Sequence, residues 1–497
     1  MSHHRNLEHQ HQKVDNKGMN TIRTFIYATL FSFLVYTVSF LTVLGLGLND
    51  KVLQSEDYLG TAALPFSIIK EHNLNLDEYS HELMLNYPQP DNMLQTPYYL
   101  RKSTDKHIYS IRPILTSILV LPIYLPVVWM NQTIDINTIE LASRLGGALI
   151  TAVSCGFFAL LLKHCLENFH IDKKELKTKR LLSILIFIAY AFGTNSLSTS
   201  SQGLWQHGTS QLFLTLGALF WLKKFYIPMG LSLGLAFINR PTNLLSAVIF
   251  GLYLLFSGIS KEKSQRDFKK SYKYAFGFII PIIIQLCINK LFLGTLDNEG
   301  YANQFNGWTK NILEGFLGIW LSPSKGILIN SPIFIFILPV IFDQLKRIFT
   351  KFKSIKENGT LSLFGFNERS NDIYFISTII LFLHTLIMGS WYSWYGGYSW
   401  GYRMASDVLP FMTILLVPGL KNILQKTSTK IIAITLTIIS VFMHFMGLIF
   451  FDGIWHTLYD GKSRWWLWSI NNSEIVFDIK RLFYKFGILK TNPYIKA

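Results

Sequence analysis

The stretch RTFIYATLFSFLVYTVSFLTVLGLG, residues 23–47, decides the class of fold. Arg23 is its only charged residue, and a helix of this length, rising about 1.5 Å per residue, crosses about 30 Å of hydrocarbon. The stretch is too long for the apolar core of a signal peptide and has no clear small-residue cleavage site, so we interpret it as a retained membrane helix. The polar, His-rich residues 1–22 are interpreted as a disordered cytoplasmic tail.

Similar apolar blocks of about 17–25 residues recur along the chain. Of its 497 residues, 50% are hydrophobic and 15% are charged, whereas roughly 25% are charged in soluble domains. We therefore predict an all-α polytopic membrane protein with about eleven to thirteen embedded helices in one domain at 23–450, followed by an aromatic-rich tail at 451–497. The candidate embedded segments are 23–47, 112–130, 138–162, 181–198, 206–222, 226–238, 241–258, 274–293, 327–343, 372–390, 405–420 and 430–450.

The formal net charge of +16 lies mostly in short loops between apolar blocks, which indicates membrane topology and not nucleic-acid binding. The basic clusters are at 163–180, 261–273, 346–356, 421–430 and Lys223-Lys224. The positive-inside rule places these loops and the N-terminus in the cytoplasm of what we take to be a bacterial inner-membrane protein. The outer face then carries 49–111, 199–206, 239–243, 294–326, 391–404 and the tail.

One segment fits this topology poorly. Residues 111–163 have room for two crossings, whereas the charge pattern allows one. The segment 112–130 contains three prolines, which interrupt the backbone hydrogen bonds of a helix, so we predict a broken or re-entrant element there. The alternative is that 226–258 crosses only once, which places the basic loop 163–180 outside.

Several classes of site lack their motifs. Cys155, Cys165 and Cys287 show neither a CxxC pattern nor a spacing with histidines that would suit zinc, and a disulfide framework is not expected. The chain also lacks a P-loop, HExxH, GxSxG and a DxD triplet. The first three absences argue against pumps, membrane proteases and hydrolases. The absence of DxD argues against a cytoplasmic nucleotide-sugar transferase, which would often use that triplet to hold a divalent metal.

The longest predicted outer loop, 49–111, directly follows the first helix. It contains the adjacent carboxylates Glu56 and Asp57, then the amphipathic stretch LPFSIIKEHNLNLDEY at 64–79. Such a stretch is typical of a helix that lies flat at the membrane interface. Adjacent carboxylates raise each other's pKa, which suits a base or a metal ligand, although a solvated acidic pair is the simpler interpretation.

Two later outer stretches combine cations with aromatic residues. WLSPSKGILINSP, 320–332, places Lys325 between two prolines, and WYSWYGGYSWGYRMASDVLP, 391–410, ends with Arg403 and Asp407. Aromatic faces beside cations suit sugar rings and phosphates. Alternatively, Arg403 and Asp407 are four residues apart and form an ion pair at a helix start.

Four stretches of the chain resemble GT-C-type glycosyltransferases. They are EDYLGTAALPFSIIKEHNLNLD at 56–77, LWQHG at 204–208, SPSKGILINSP at 322–332 and the aromatic stretch at 391–410. This superfamily includes protein O-mannosyltransferases, lipid A aminoarabinose transferases and family-39-like relatives. The resemblance implies a GT-C-like bundle with short interfacial helices in the first outer loop. It also implies a hexosyl- or pentosyltransferase that moves sugar from a polyprenyl-phosphate donor to a glycan, lipid or protein acceptor on the outer face.

The resemblance also implies roles for particular residues. Asp57 matches the general base of an inverting displacement, with Glu56 as second choice. Arg403 matches a phosphate-binding group, followed by Lys325, Arg112 and Arg240, although Arg112 and Arg240 also suit the membrane boundary. The sugar- or acceptor-binding candidates are His207, Trp205, Trp394, Tyr395 and Trp400. His384 and His444 are left out as packing histidines. No cofactor is implied with certainty, and dependence on a divalent cation stays open.

Two rival functions remain open. A transporter or flippase for lipid-linked sugars would share the helices and cations, but it usually has repeated halves and polar residues near the bilayer midplane. An O-antigen ligase or polymerase uses a similar donor, but the resemblance to that class implies a long catalytic loop late in the chain. Here the longest predicted loop comes first.

Overall fold

The helices carry nearly the whole architecture. The computed structural model describes residues 2–45, 56–85, 87, 95–103, 105–131, 133–167, 176–259, 268–296, 307–308, 311–358, 371–460, 464–485 and 487–490. The helices of the N-terminal part are α1 Ser2–Gly45, α2 Leu59–Phe66, α3 Asp77–Leu85, α4 Leu115–Leu119, α5 Leu121–Met130, α6 Ile136–Glu167, α7 Leu176–Phe192, α8 Gln206–Leu222, α9 Tyr226–Asn239, α10 Leu244–Ile259 and α11 Lys269–Ile288.

The remaining helices are α12 Ile312–Leu321, α13 Ile327–Asn330, α14 Leu338–Asn358, α15 Asp372–Gly389, α16 Leu409–Ile414, α17 Leu416–Lys421, α18 Thr427–Phe450, α19 Ile454–Tyr459 and α20 Glu474–Lys485. The strands β1 Leu100–Lys102 and β2 Ile108–Ser110 form an antiparallel hairpin in which Arg101 faces Tyr109. The all-α prediction is therefore confirmed apart from this small hairpin.

Within the described residues, seven helices are long and apolar enough to cross a membrane. They are Met19–Gly45, Ile136–Glu167, Leu176–Ser200, Pro241–Gly258, Lys269–Phe292, Asp372–Gly389 and Thr427–Phe450. A bent pair, Arg403–Ile414 and Leu416–Gln425, turns by 49° and makes an eighth crossing if it is one span. The chain thus has the helices of a multi-pass membrane protein, with fewer full-length spans than the predicted eleven to thirteen embedded segments.

Prolines explain most of the shortfall. The segment 112–130 is broken at Val120 into α4 and α5, as the sequence predicts. The segment predicted as one helix at 327–343 is instead α13, a 3₁₀ turn at Pro332–Ile337 and the start of α14. The segment 405–420 bends between α16 and α17. Pro332 and Pro410 each lie in the first turn after a break, where their missing N–H costs least.

Backbone-to-backbone contact holds two of the helices together. A Cβ added at Gly230 of α9 would lie 2.1 Å from the carbonyl oxygen of Tyr274, and one added at Gly277 of α11 would lie 2.2 Å from that of Ile227. Glycines at facing positions let membrane helices approach this closely, because lipid provides little hydrophobic drive for association. The α9–α11 pair therefore depends on having no side chain at its crossing point.

Three regions flank or connect the long helices: the N-terminal segment, the first loop and the tail. The helix of the first span begins at Ser2, where the sequence predicts a disordered tail at 1–22; elongation from an existing helix avoids the cost of nucleation. The stretch predicted at 64–79 begins in contact with the bundle, since Leu64 and Phe66 of α2 are buried beside α5 and α6. In the tail, Trp455 and Trp466 are buried against the bundle.

Candidate functional site

A small cavity opens where several helices begin or end. Its lining consists of Asp57, Tyr58, Thr61, Arg112, Leu204, Trp205, Gln206, Arg240 and Arg403. Three guanidinium groups and one carboxylate therefore share a small space beside apolar helices. Five of the residues predicted from sequence lie in this lining: Asp57, Arg112, Arg240, Arg403 and Trp205.

Interruptions of the helices place these side chains. Asp57 lies in the 3₁₀ turn Glu56–Tyr58 before α2, and Arg112 lies just before α4. Arg240 separates α9 from the turn Pro241–Asn243, and Arg403 begins the turn Arg403–Val408. Irregular backbone at the level of a membrane is tolerated where it is buried in protein or lines a cavity, because its polar groups can be satisfied there.

Tyr98, Arg112 and Arg403 donate hydrogen bonds to Asp57. The Tyr98 hydroxyl and Arg112 Nη2 donate to Oδ1, the latter at 3.1 Å, and Arg403 Nη2 donates to Oδ2. Burial alone would raise the pKa of Asp57, but the charges of Arg403 and Arg112 outweigh it and hold the pKa well below its usual value. Asp57 is therefore an oriented anion whose basicity is suppressed as long as both arginines contact it.

Glu56 has a different environment from its neighbour. Its side chain is partly exposed. Burial, and secondly the negative charge of Asp57, raise its pKa to about 7. The two adjacent carboxyl groups therefore have opposite pKa shifts, and Asp57 is the one that faces the cavity.

Arg403 contacts four groups at once. Besides Asp57, its Nη1 donates to the carbonyl oxygen of Gly396 at 3.1 Å and its Nε donates to His207 Nε2 at 3.3 Å. Its guanidinium carbon lies 4.5 Å from the centre of the Trp205 ring. Such a cation–π contact stabilises the charge and fixes the plane of the group.

Asp407 lies behind the lining and is fully buried. Its Oδ1 contacts His207 Nδ1 at 2.8 Å, and its Oδ2 lies 2.9 Å from Arg240 Nε in an ion pair. The predicted alternative, an ion pair between Arg403 and Asp407, is wrong, because each has another partner. The two residues lie in a 3₁₀ turn, where residues four apart do not share a face as they do in an α-helix.

Lys325, predicted to bind phosphate, lies in a different cluster. It is 1% exposed. Its Nζ donates to Glu474 Oε2 at 2.7 Å and to the carbonyl oxygen of Ser399, and it lies over the Trp455 ring. This lysine connects the tail, through Glu474, to the loop at 391–403, through Ser399. Its charge is matched by Glu474 and is not directed into the cavity.

The aromatic candidates divide in a similar way. Trp205 lines the cavity. Trp394 and Trp400 are buried packing residues, and Tyr395 meets Trp466 of the tail edge-on. His207 is fully buried and lies next to Arg403. The sequence could not separate these roles, because the tryptophans and tyrosines of 391–403 all lie in one aromatic-rich stretch and nothing local shows which of them face a cavity.

Some contributing residues are absent from the sequence-based candidates. Tyr98 binds Asp57 from 41 positions along the chain, and nothing in its local sequence indicates this contact. Gln206 adjoins the selected Trp205 and His207 and also lines the cavity. His384 and His444, which we left out, bond to the Met404 carbonyl oxygen and to two serines respectively.

Electrostatics at the cavity favour an anion over a cation. In the described part of the chain, no group of three His, Cys, Asp or Glu residues lies close enough to hold a metal ion. The two guanidinium groups on Asp57 oppose binding of a divalent cation at that carboxylate. Counting Asp57 and Asp407 against Arg112, Arg240 and Arg403 leaves one net positive charge around the cavity.

Comparison of the chain with protein-family models, with curated proteins and with solved structures finds no match.

Proposed function

We propose that the chain is a GT-C-like glycosyltransferase that moves a sugar from a polyprenyl-phosphate donor to an acceptor hydroxyl on the outer face of the membrane. The observation that carries the proposal is a single carboxylate, Asp57, bound by Arg112 and Arg403 in a cavity that Arg240 also lines. The sequence resemblance supplies the reaction class, and the geometry is compatible with it.

The guanidinium groups suit the phosphate of the donor. Arginine binds phosphate oxygens through planar, paired N–H groups and remains charged at all relevant pH values. As the bond from the anomeric carbon to the phosphate oxygen breaks, negative charge grows on the leaving phosphate, and fixed cations stabilise it. Arg403 and Arg112 are the best placed for this role, because both reach the same carboxylate from the cavity wall.

Asp57 suits the acceptor side of the reaction. The acceptor oxygen attacks the anomeric carbon, its proton passes to a carboxylate oxygen of Asp57, and the lipid phosphate leaves with the bonding electrons. Donor phosphate competes with Asp57 for the two arginines, and loss of their charge from the carboxylate raises its pKa toward that of an effective base. Trp205 also lines the cavity, where its ring packs against the Arg403 guanidinium group.

The rival flippase would need its polar groups along a path through the membrane. The cavity arginines lie at helix breaks and ends, which a transporter site also has, so an assay of transfer has to separate the two functions. The decisive experiment measures transfer of radiolabelled sugar from a polyprenyl-phosphate donor pool in membranes carrying wild type, Asp57→Asn or Glu78→Gln. Glu78 is an exposed carboxylate of α3 and serves as the matched control.

We expect transfer with wild type and Glu78→Gln and none with Asp57→Asn. Equal transfer by all three would remove Asp57 from the mechanism, and loss with Glu56→Gln instead would assign the base to Glu56. Label that only changes leaflet, without reaching an acceptor, would favour the flippase.

A further inference from the structure

His207 does not line the cavity, but it is hydrogen-bonded to Arg403, which does line it. The ring is 0% exposed, and the described lining includes its neighbours Trp205 and Gln206 and its partner Arg403. Both ring nitrogens meet charged side chains: Nδ1 is 2.8 Å from Asp407 Oδ1, and Nε2 is 3.3 Å from Arg403 Nε. A histidine held on both sides in this way is poorly placed to touch a sugar or an acceptor.

The chemistry of the partners fixes the proton on the ring. Arginine Nε carries a hydrogen and has no lone pair to offer, so His207 Nε2 must accept. The Nδ1 atom must then carry the ring proton and donate it to the Asp407 carboxylate. Hydrogen bonds therefore run in one direction, from Arg403 to His207 and from His207 to Asp407, and the imidazole is neutral.

A neutral acceptor has a specific consequence for Arg403. The Gly396 carbonyl and the His207 ring hold the Nη1 and Nε edges without cancelling the positive charge, whereas a carboxylate at either place would neutralise it. The guanidinium plane lies against Trp205, and the Nη2 edge is directed to Asp57. The direction of Arg403 is thus fixed, and its charge can be matched by Asp57 or by an anion that displaces Asp57.

We propose that His207 is a positioning residue, which keeps Arg403 aimed at Asp57 and at the bound anion by accepting from its Nε, with Asp407 fixing the tautomer. The role of the anion as a polyprenyl phosphate rests on the proposed function. The direction of the hydrogen bonds rests only on the structure.

Two substitutions separate the two ring nitrogens. In His207→Gln the amide oxygen can reach the place of Nε2 and accept from Arg403, while in His207→Asn the amide can replace only Nδ1 and meet Asp407. We expect His207→Asn to weaken binding of geranyl phosphate to purified protein roughly tenfold or more. His207→Gln should retain most of the wild-type affinity. In sugar transfer the Asn variant should raise KM for the donor more than it lowers kcat. His81→Asn, on the exposed side of α3, is the control.

Equal affinity of His207→Asn and wild type would overturn the proposal, as would variants that bind normally and lose only kcat. A second measurement does not need activity or a folded variant: ¹⁵N spectra of histidine-labelled wild type should show His207 protonated at Nδ1 and unprotonated at Nε2. A protonated Nε2 would overturn the proposal. If wild type neither binds geranyl phosphate nor transfers sugar, the proposed function fails, and the ¹⁵N result still decides the role of His207.

Discussion

At the scale of single residues, the Asp57 carboxylate itself binds the arginines that could bind a ligand anion. Its carboxylate occupies Arg112 and Arg403, the two groups best placed to hold a ligand phosphate. The phosphate ligand that we propose would have to displace Asp57, and part of its binding free energy would be spent on that exchange. This competition has a measurable consequence that is separate from any role in catalysis.

Asp57→Asn should tighten binding of geranyl phosphate while abolishing sugar transfer. The neutral amide competes less well for the arginines, and we expect an affinity gain of about tenfold, or about 1.4 kcal/mol. Titration calorimetry on purified wild type and variant measures the gain. Weaker binding by the variant would mean that Asp57 helps to hold the ligand instead of competing with it.

Glu56 should make stability depend on pH. Its pKa is raised from 4.5 to about 7 in the folded protein, so the folded state holds the proton more tightly than the unfolded chain does. The resulting stability is present at low pH and is lost as pH rises through about 7. Glu56→Gln should therefore raise Tm relative to wild type more at pH 8 than at pH 5.

The measurement is thermal unfolding in detergent at both pH values, with Glu78→Gln as the exposed control. A gain for Glu56→Gln that is the same at pH 5 and pH 8 would contradict the pKa shift as its cause.

At the scale of elements, a buried ion pair holds the tail to the bundle. Lys325 follows α12, and Glu474 begins α20, 149 positions later, yet their side chains meet with 1% and 2% exposure. Lys325 also binds the Ser399 carbonyl oxygen in the loop that leads to Arg403. The tail therefore supports the loop that carries a cavity residue.

Lys325→Met alone should lower the free energy of unfolding by roughly 3–5 kcal/mol, because the buried Glu474 must then either carry an unpaired charge or take up a proton. Lys325→Met with Glu474→Gln should be more stable than Lys325→Met. A double-mutant cycle of denaturant unfolding measures the coupling. Strictly additive losses would show that the pair contributes no coupling.

The crossing of α9 and α11 is another feature of this scale. Gly277→Ala places a Cβ 2.2 Å from the Ile227 carbonyl oxygen, so the helices must separate, at a cost of roughly 1–3 kcal/mol. We expect a lower Tm for Gly277→Ala. Gly45→Ala is the matched control, since nothing lies within 4 Å of a Cβ there. An unchanged Tm for Gly277→Ala would contradict the close packing.

At the scale of the whole molecule, the order of helices and turns predicts two faces. The helix α8 leads away from the cavity, from Gln206 to Leu222, and α9 returns to Arg240. The Lys223-Lys224 turn therefore lies at the end opposite the cavity, and the positive-inside rule assigns that end to the cytoplasm. The β1–β2 hairpin lies on the cavity side, because Tyr98 next to it binds Asp57.

Cysteine labelling tests this arrangement. In a cysteine-free background, a membrane-impermeant maleimide applied to whole cells should label Lys106→Cys and label Lys224→Cys only after permeabilisation. Both positions are exposed, so access depends on side and not on burial. Labelling of Lys224→Cys in intact cells would place the cavity on the cytoplasmic side.

Much of the fold follows from local sequence. Long, mostly apolar blocks without proline, such as 138–162 and 430–450, form long helices, because backbone groups in hydrocarbon must be satisfied within the segment. The predicted break in 112–130 was confirmed. It could be predicted because a proline interrupts the helix at its own position, whatever packs around it. Breaks at 327–343 and 405–420 were missed, because the apolar composition of both segments outweighed Pro332 and Pro418 in the prediction.

The residues around the cavity show what the sequence by itself determined. Local patterns indicated five of the residues that line the cavity. These patterns are adjacent carboxylates for Asp57, arginines near predicted helix breaks or ends for Arg112, Arg240 and Arg403, and a tryptophan close to a histidine for Trp205. Only the tertiary structure decided the pairings: Arg403 with Asp57, Asp407 with His207 and Arg240, and Lys325 with Glu474. Charges pair through space, at separations of up to 346 positions for Arg403 and Asp57, so helix packing chooses their partners.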